Sequence, residues 1–226
     1  QKIKTKGKVL LPCLFANVIL IIKRNFIMNS VFEKIGAMTR SVKIINASDK
    51  KVEIEKVMST CVDFHTSDFE MLSLYGRWGK ERALERRPLA HGRQLVSSKR
   101  GSSSHHQNPF AAIVDKGATE DYGNAYGFNF VYSGNFVFEA EVNQNSGTRV
   151  IMGINPENFG WQLKAGEYFC SPEVVMVYTP DGIGEMSRVF HRLYANNLLR
   201  WSSVKEERGI EYPYANSVTM SISLRF

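Results

Sequence analysis

The sequence predicts a mainly β fold, a sandwich of antiparallel strands with one late α-helix. Short apolar stretches are separated by polar turns at intervals of about eight to twelve residues, a rhythm typical of a sandwich. Helical spacing of apolar residues stands out at one place only, late in the chain. Hydrophobic residues make up 43% of the 226 residues and aromatic residues 12%, so the chain can fill a core.

The first strands are expected after Ser30. Arg40–Asn46 and Val52–Ser59 are β-branched segments joined by the polar turn N-A-S-D-K-K, and together they predict a hairpin. Phe69–Leu74 is a third strand. Tyr75–Pro88 is charged and aromatic, so we expect a solvent-exposed face with Arg–Glu pairs that each contribute little stability.

The second half of the chain shows the clearest alternation. Asn135–Val142 places four apolar residues on one face with a period of two. Pro172–Tyr178 is apolar and β-branched, and we expect both of its faces to be buried. Five further strands are predicted, at Phe110–Val114, Gly127–Tyr132, Arg149–Ile154, Trp161–Leu163 and Tyr168–Phe169.

The late helix is predicted across Ile183–Leu199, where apolar Met186 and Phe190 share one face and arginines occupy the other. Near the beginning, Val9–Ile22 is apolar but shorter than the about 20 residues that span a bilayer. No small-residue cleavage site follows it, so a buried strand pair is expected rather than a signal peptide or membrane span. Ser217–Phe226 alternates and predicts an edge strand.

The net charge of +7 is confined to one end of the chain. Residues 1–30 contain six basic residues and no acidic one, which leaves 23 basic and 22 acidic residues in 31–226. A nearly neutral body argues against nucleic-acid binding. The three cysteines, Cys13, Cys61 and Cys170, have no metal-ligand spacing and cannot all form disulfides. They predict a reducing compartment, the cytoplasm.

Ser97–Phe110 is the most polar and least periodic segment in the middle of the chain, with the sequence S-S-K-R-G-S-S-S-H-H-Q-N-P-F. Its Ser, Gly, Asn and Pro residues favour a loop held by flanking strands. Adjacent residues of an extended chain point in opposite directions, so His105 and His106 would chelate a metal poorly. We expect no metal and no cofactor, and a hydrogen-bonded loop near an interface.

Seven segments of the chain stand out as long motifs. They are V-F-E-K-I-G-A-M-T-R-S-V, G-R-W-G-K-E-R, the Ser97–Phe110 segment, Y-G-F-N-F-V-Y-S-G-N-F, G-I-N-P-E-N-F-G-W-Q-L, G-E-Y-F-C-S-P-E and M-S-R-V-F-H-R-L-Y. Together they resemble the family-36 α-galactosidases, which carry such segments in the same order ahead of their catalytic barrel. The resemblance covers about residues 30–200.

This resemblance implies an antiparallel β-supersandwich, with the late helix as the connector toward a (β/α)8 barrel. It implies that the complete enzyme hydrolyses terminal α-galactosides such as melibiose and raffinose with retention. Retaining hydrolysis requires two carboxylates about 5 Å apart. In the family these carboxylates belong to aspartates of the barrel, and the sequence after residue 200 matches nothing in that barrel. We therefore expect no catalytic residue here and a truncated, inactive chain.

The resemblance also suggests a division of the chain. Residues 1–29 form an atypical segment, 30–182 the β-sandwich, 183–200 the connector helix and 201–226 an atypical tail that we attribute to a frameshift or misjoining. The favoured function is the non-catalytic β-sandwich of an α-galactosidase. Alternatives are a stand-alone carbohydrate-binding module and an oligomerisation module, since the resemblance implies a homo-oligomer.

Two residues are candidates for substrate binding. The resemblance implies that Trp161 contributes the face of its indole to the galactose pocket, where an apolar ring packs against the C–H groups of the sugar. Without the resemblance, a core tryptophan would be the better interpretation. Asn155 is the second candidate, and with Gly153 and Pro156 it is expected to shape the loop that orients Trp161.

Overall fold

The computed structural model describes residues 24–198, which form three layers: a small sheet, a large sheet and a helix. The strands are β1 Arg24–Phe32, β2 Ala37–Ile45, β3 Val52–Ile54, β4 Met58–Phe64, β5 Phe69–Arg77, β6 Lys80–Pro88, β7 Gly92–Ser97, β8 Gln107–Asp115, β9 Ala125–Phe130, β10 Phe136–Val142, β11 Thr148–Ile154, β12 Trp161–Leu163, β13 Tyr168–Cys170 and β14 Val174–Thr179. Helix α1 spans Gly182–Leu193, and a π-helical turn follows at Tyr194–Leu198.

The large sheet has the strand order β1-β2-β14-β9-β8-β5-β6, and β13 also pairs with β2. All of these ladders are antiparallel. The small sheet has the order β10-β11-β4, and a two-stranded ladder joins β12 to β3. Strand β7 runs beside β10, where Ser98 N donates to the Phe136 carbonyl oxygen over 3.0 Å.

The main core lies between the two sheets. Alternate residues of β10 (Phe136, Phe138 and Ala140) are fully buried there. They meet residues of the large sheet such as Phe128 and Met176. The period-two pattern predicted for this strand is confirmed, because one face of an antiparallel strand packs on the core.

Helix α1 covers the other face of the large sheet. Met186 and Phe190 are fully buried against it, while Arg188 and Arg192 lie on the outer face and pair with Glu185. The helix buries one face of β14 (Val175 and Val177) and the main core buries the other (Val174 and Met176), so all four residues are buried. The burial predicted for Pro172–Tyr178 is confirmed for these four residues, whereas Glu173 and Tyr178 are exposed.

The predicted hairpin of Arg40–Asn46 and Val52–Ser59 is wrong. Strand β2 pairs with β1, β13 and β14, whereas β3 pairs with β12 and β4 with β11. The polar turn at 46–51 does not reverse the chain into a ladder with β2, because it carries the chain from the large sheet to β3 of the two-stranded ladder. Asn46 stabilises this crossing by donating to the carbonyl oxygens of Lys50, Leu163 and Lys164.

The structure also adds strands that the pattern did not predict. The charged segment 75–88 continues β5 and then forms β6, an edge strand with alternating exposed and half-buried residues. The expected Arg–Glu pairs are present as Arg86–Glu70 and Arg87–Glu85. Strand β7 was likewise not predicted. Only Val96 of its six residues is buried, so the strand shows no apolar alternation in the sequence.

The predicted mainly β fold, an antiparallel sandwich with one late helix, is confirmed. Its first strand begins at Arg24, six residues before the expected start of the sandwich. The expectations for Val9–Ile22 and Ser217–Phe226 fall outside the described residues. Between residues 24 and 198, the protein has no helix with the length and apolar character needed to cross a membrane.

Candidate functional site

Trp161 is the first residue of β12, and its backbone pairs with Ile54 of β3. Leu163, on the same face of the strand, is buried in the core. Trp161 lies farther out and remains 50% exposed. Its indole therefore presents an apolar surface to solvent from a strand that the core holds in place.

Trp161 rests on a second aromatic residue. The ring centroids of Trp161 and Phe169 are 5.3 Å apart, and those of Phe169 and Phe159 are 6.0 Å apart. Both phenylalanines pack against the main core. We call Phe159, Trp161 and Phe169 the aromatic cluster. The phenylalanines were not predicted as site residues, and their only signal was their position inside the motifs shared with the family-36 enzymes.

Asn155 lies in the interior rather than beside the indole surface. It is 5% exposed, and its Nδ2 donates to the carbonyl oxygens of Ser98 at 3.1 Å and Phe136 at 3.4 Å. Its Oδ1 accepts from the backbone N–H of Glu157 at 3.0 Å. These bonds fix the start of the segment that leads from β11 to Trp161.

The prediction that all of Ser97–Phe110 is a loop is wrong at its ends, because Ser97 ends β7 and Gln107–Phe110 begin β8. The part between these strands is a loop that its neighbours hold. Ser103 N donates to the Ser133 carbonyl oxygen over 2.8 Å, and Gly101 N donates to Asn135 Oδ1 over 2.7 Å. Lys99 forms an ion pair with Glu157. The loop is thus connected both to the β9–β10 turn and to the segment that carries Trp161.

The expectation that His105 and His106 point in opposite directions is wrong. Their rings stack with centroids 4.5 Å apart and an interplanar angle of 30°. The reason is a tight turn, because Ser104 and Gln107 form a β-bridge across the two histidines. Desolvation lowers the pKa of His106, and the nearby Arg100 and His105 lower it further.

Metal binding has little support in the described part of the chain. Within residues 24–198 no three His, Cys, Asp or Glu side chains are grouped so that they could hold an ion. Structural and catalytic zinc sites use three or four such ligands. The two stacked histidines therefore form a pair without further ligands of these types around them.

The part of the chain that carries this geometry matches a known domain. Residues 27–164 match the model of the glycosyl hydrolase family 36 N-terminal domain. This chain belongs to glycosyl hydrolase family 36. The matched range includes the Ser97–Phe110 loop, Asn155 and Trp161.

Curated members of the family are similar to this family-36 chain over most of its length. It is 47% identical over 181 residues to the α-galactosidase AgaA of Geobacillus stearothermophilus, covering 80% of this chain and 25% of that enzyme. It is 44% identical to α-galactosidase 1 of Pediococcus pentosaceus, again covering 80% and 25%. The chain therefore spans about a quarter of the length of these relatives.

Solved structures agree with the fold. The crystal structure of an AgaA variant from Geobacillus stearothermophilus in complex with raffinose matches with a TM-score of 0.77 at 46% identity. The match covers 78% of the family-36 chain and 24% of that enzyme. Another AgaA variant, in complex with stachyose, also gives 0.77 at 45% identity, with 81% and 25% covered.

Proposed function

We propose that this chain serves as the non-catalytic N-terminal β-sandwich of a family-36 α-galactosidase. The observation that carries the proposal is the domain match over residues 27–164, together with the fold shared with AgaA at a TM-score of 0.77. Retaining hydrolysis uses a pair of carboxylates. By resemblance, those residues are barrel aspartates, so the domain described here contributes binding surface and support rather than chemistry.

The substrates that we propose for the complete enzyme are α-galactosides such as melibiose and raffinose. AgaA variants were crystallised with raffinose and stachyose, which supports this class. The half-exposed indole of Trp161 suits the apolar face of a galactosyl ring. Asn155 positions the segment before Trp161 through the hydrogen bonds that its side chain forms with backbone groups of other residues.

An activity assay tests the first part of the proposal. The purified 226-residue chain should not release the chromophore from a chromogenic α-galactoside. Calorimetric titration with galactose should give no measurable heat, because half of the pocket would belong to the barrel. Turnover would overturn the non-catalytic role. Saturable heat with galactose would favour the stand-alone carbohydrate-binding module instead.

A chimera tests the role of Trp161. Residues 24–193 replace the corresponding part of AgaA, and raffinose hydrolysis is measured. Trp161→Ala should raise KM about tenfold, the effect of losing one stacking surface. Trp161→Phe should recover part of the loss because it restores an aromatic face. Trp78→Ala, which removes a tryptophan that is 89% exposed in the β5–β6 hairpin, is the control and should change nothing. Equal effects of both alanine variants would contradict the assignment.

A second function, homo-oligomerisation, is favoured by strand β1. Within residues 24–198 it pairs only with β2, which leaves one edge of the strand open. Phe26, Ile27, Met28 and Val31 are all exposed on this edge strand. An exposed apolar edge readily pairs with another strand. We propose that a second copy of the chain covers it.

Light scattering after size exclusion tests this contact. The wild-type chain should be an oligomer, and Ile27→Lys should be a monomer because a charged edge residue opposes strand pairing. Leu84→Lys places the same charge on β6, the opposite edge of the large sheet, and should leave the oligomer intact. A monomeric wild type, or equal effects of both variants, would exclude β1 as the interface.

We propose a cytoplasmic location for the chain. Cys61 is buried and Cys170 is exposed, and no disulfide joins them within residues 24–198. Cysteines that form no disulfide suit a reducing compartment. Protein extracted from its cells without reductant and then denatured should be alkylated at both positions, whereas blocked thiols would contradict the proposal.

A further inference from the structure

A cleft of about 450 Å³ lies between strand β7 and the start of β8, and no residue of the aromatic cluster lines it. Its lining consists of hydroxyl, amide, imidazole and cationic side chains with one apolar residue, Leu95. No acidic residue lines it. The lining residues are Leu95, Ser97, Ser98, Lys99, Arg100, Ser104, His106 and Gln107.

The walls of this cleft are fixed before any ligand arrives. Ser97 N donates to Gln107 Oε1 over 2.7 Å, which joins the two ends of the loop. Ser98 Oγ donates to the Ser102 carbonyl oxygen over 2.7 Å. The bonds from Gly101 and Ser103 to the β9–β10 turn hold the outer part. A preformed cleft loses little conformational entropy on binding.

The charge of the cleft comes from one residue above all. Lys99 is already paired with Glu157. Within residues 24–198 the guanidinium of Arg100 has no hydrogen bond or ion pair, and its charge acts on His106. A guanidinium presents five N–H donors in a planar fork that matches an oxyanion. Gln107 and Ser104 place further polar groups on the same wall.

We propose that this cleft binds a small ligand carrying an oxyanion, a carboxylate or sulfate group, with Arg100 as its main contact. The site goes beyond the α-galactosidase role, and its test needs no enzymatic activity. An acidic group on an organic ligand and a free inorganic anion both present such an oxyanion. The cleft has room for either, up to a ligand the size of a monosaccharide.

Calorimetric titration of the 226-residue chain at constant ionic strength tests the proposal. The probes are sodium sulfate, galacturonate and neutral galactose. Sulfate or galacturonate should bind saturably with a Kd of about 1 mM or tighter, and galactose should not. Stronger binding of galacturonate identifies an acidic sugar as the ligand class, whereas stronger binding of sulfate identifies a free anion.

Variants of Arg100 test whether its side chain is the main contact of the anion. Arg100→Gln should weaken binding of the anion about tenfold or more, and Arg100→Lys should retain part of it because the charge remains but the fork is lost. Lys34→Gln removes the same charge from the exposed β1–β2 turn, at the opposite edge of the large sheet, and should have no effect. Circular dichroism checks that each variant is folded. No saturable anion binding, or equal affinities of the wild type and Arg100→Gln, would overturn the site.

Discussion

Asn155 is bonded to Ser98: its Nδ2 lies 3.1 Å from the Ser98 carbonyl oxygen, in the interior of the protein. This single side chain joins the Ser97–Phe110 loop to the segment that precedes Trp161. The Lys99–Glu157 ion pair bridges the same two segments at the surface. The loop and the aromatic cluster therefore share one support, although neither contains the other's residues.

Replacing Asn155 should loosen this support. Asn155→Ala removes the donor to Ser98 and the acceptor for the Glu157 N–H, so buried backbone groups lose their partners. The expected loss is about 1–3 kcal/mol in the free energy of unfolding, measured by urea denaturation. Asn145→Ala, in the exposed β10–β11 turn, is the control and should change stability by less than about 0.5 kcal/mol. Equal losses would show that the buried bonds contribute nothing.

Gly127 sets how closely α1 approaches the large sheet. A β-carbon at this position would lie 2.5 Å from the Phe190 ring and 2.8 Å from Met186 Sδ. Gly127→Ala should therefore push the helix outward and cost about 1–3 kcal/mol. Phe190→Leu added to this variant should cost less than the two single changes together, because it vacates the clashing space. Additive losses in urea denaturation would rule out the contact.

Glu185 should make the stability of the helix depend on pH. Hydrogen bonds from Arg192 at 2.5 Å and Arg188 at 2.7 Å lower the pKa of Glu185 from its ordinary value of 4.5. A lowered pKa in the folded state means that the stabilisation is present above pH 4.5 and is lost as the pH falls below it. The pairs are largely exposed, so the effect should stay below about 1 kcal/mol.

The measurement compares Glu185→Gln with the wild type by urea denaturation between pH 7 and pH 3. The variant should be less stable at pH 7, and the difference should vanish at the acidic end. Glu33→Gln, in the exposed β1–β2 turn, is the control for loss of one negative charge. A difference that persists unchanged at the acidic end would mean that the ion pairs are not its source.

The strands that pack on the core could be predicted because burial leaves a period in the sequence. In β10, Phe136 and Phe138 are fully buried on one side while Glu139 and Glu141 lie on the other. Edge strands leave no such period: β6 carries charge on both faces. The pairing partners also could not be predicted, since β3 meets β12 more than 100 residues later, a distance that no local pattern encodes.

The candidate site was predictable only in part, and for a related reason. Trp161 was identified through a motif resemblance, while its support by Phe169 depends on how β13 adds to β2. The stacked histidines were mispredicted because extended geometry was assumed for a segment that turns between Ser104 and Gln107. Side-chain direction follows the backbone turn, which composition alone does not specify.

Gly153 holds β11 against β4 at the point where their register shifts. A β-carbon there would lie 2.7 Å from the Val57 carbonyl oxygen and 2.8 Å from Met58 Cα, both backbone atoms that cannot rotate away. Gly153→Ala should therefore cost about 1–3 kcal/mol and increase amide hydrogen exchange in β4. Gly160→Ala is the control on the same segment, because its β-carbon would approach only the flexible end of Glu53, at 3.3 Å. If both variants unfold at the same urea concentration, backbone contact at Gly153 is not what fixes the segment that leads to Trp161.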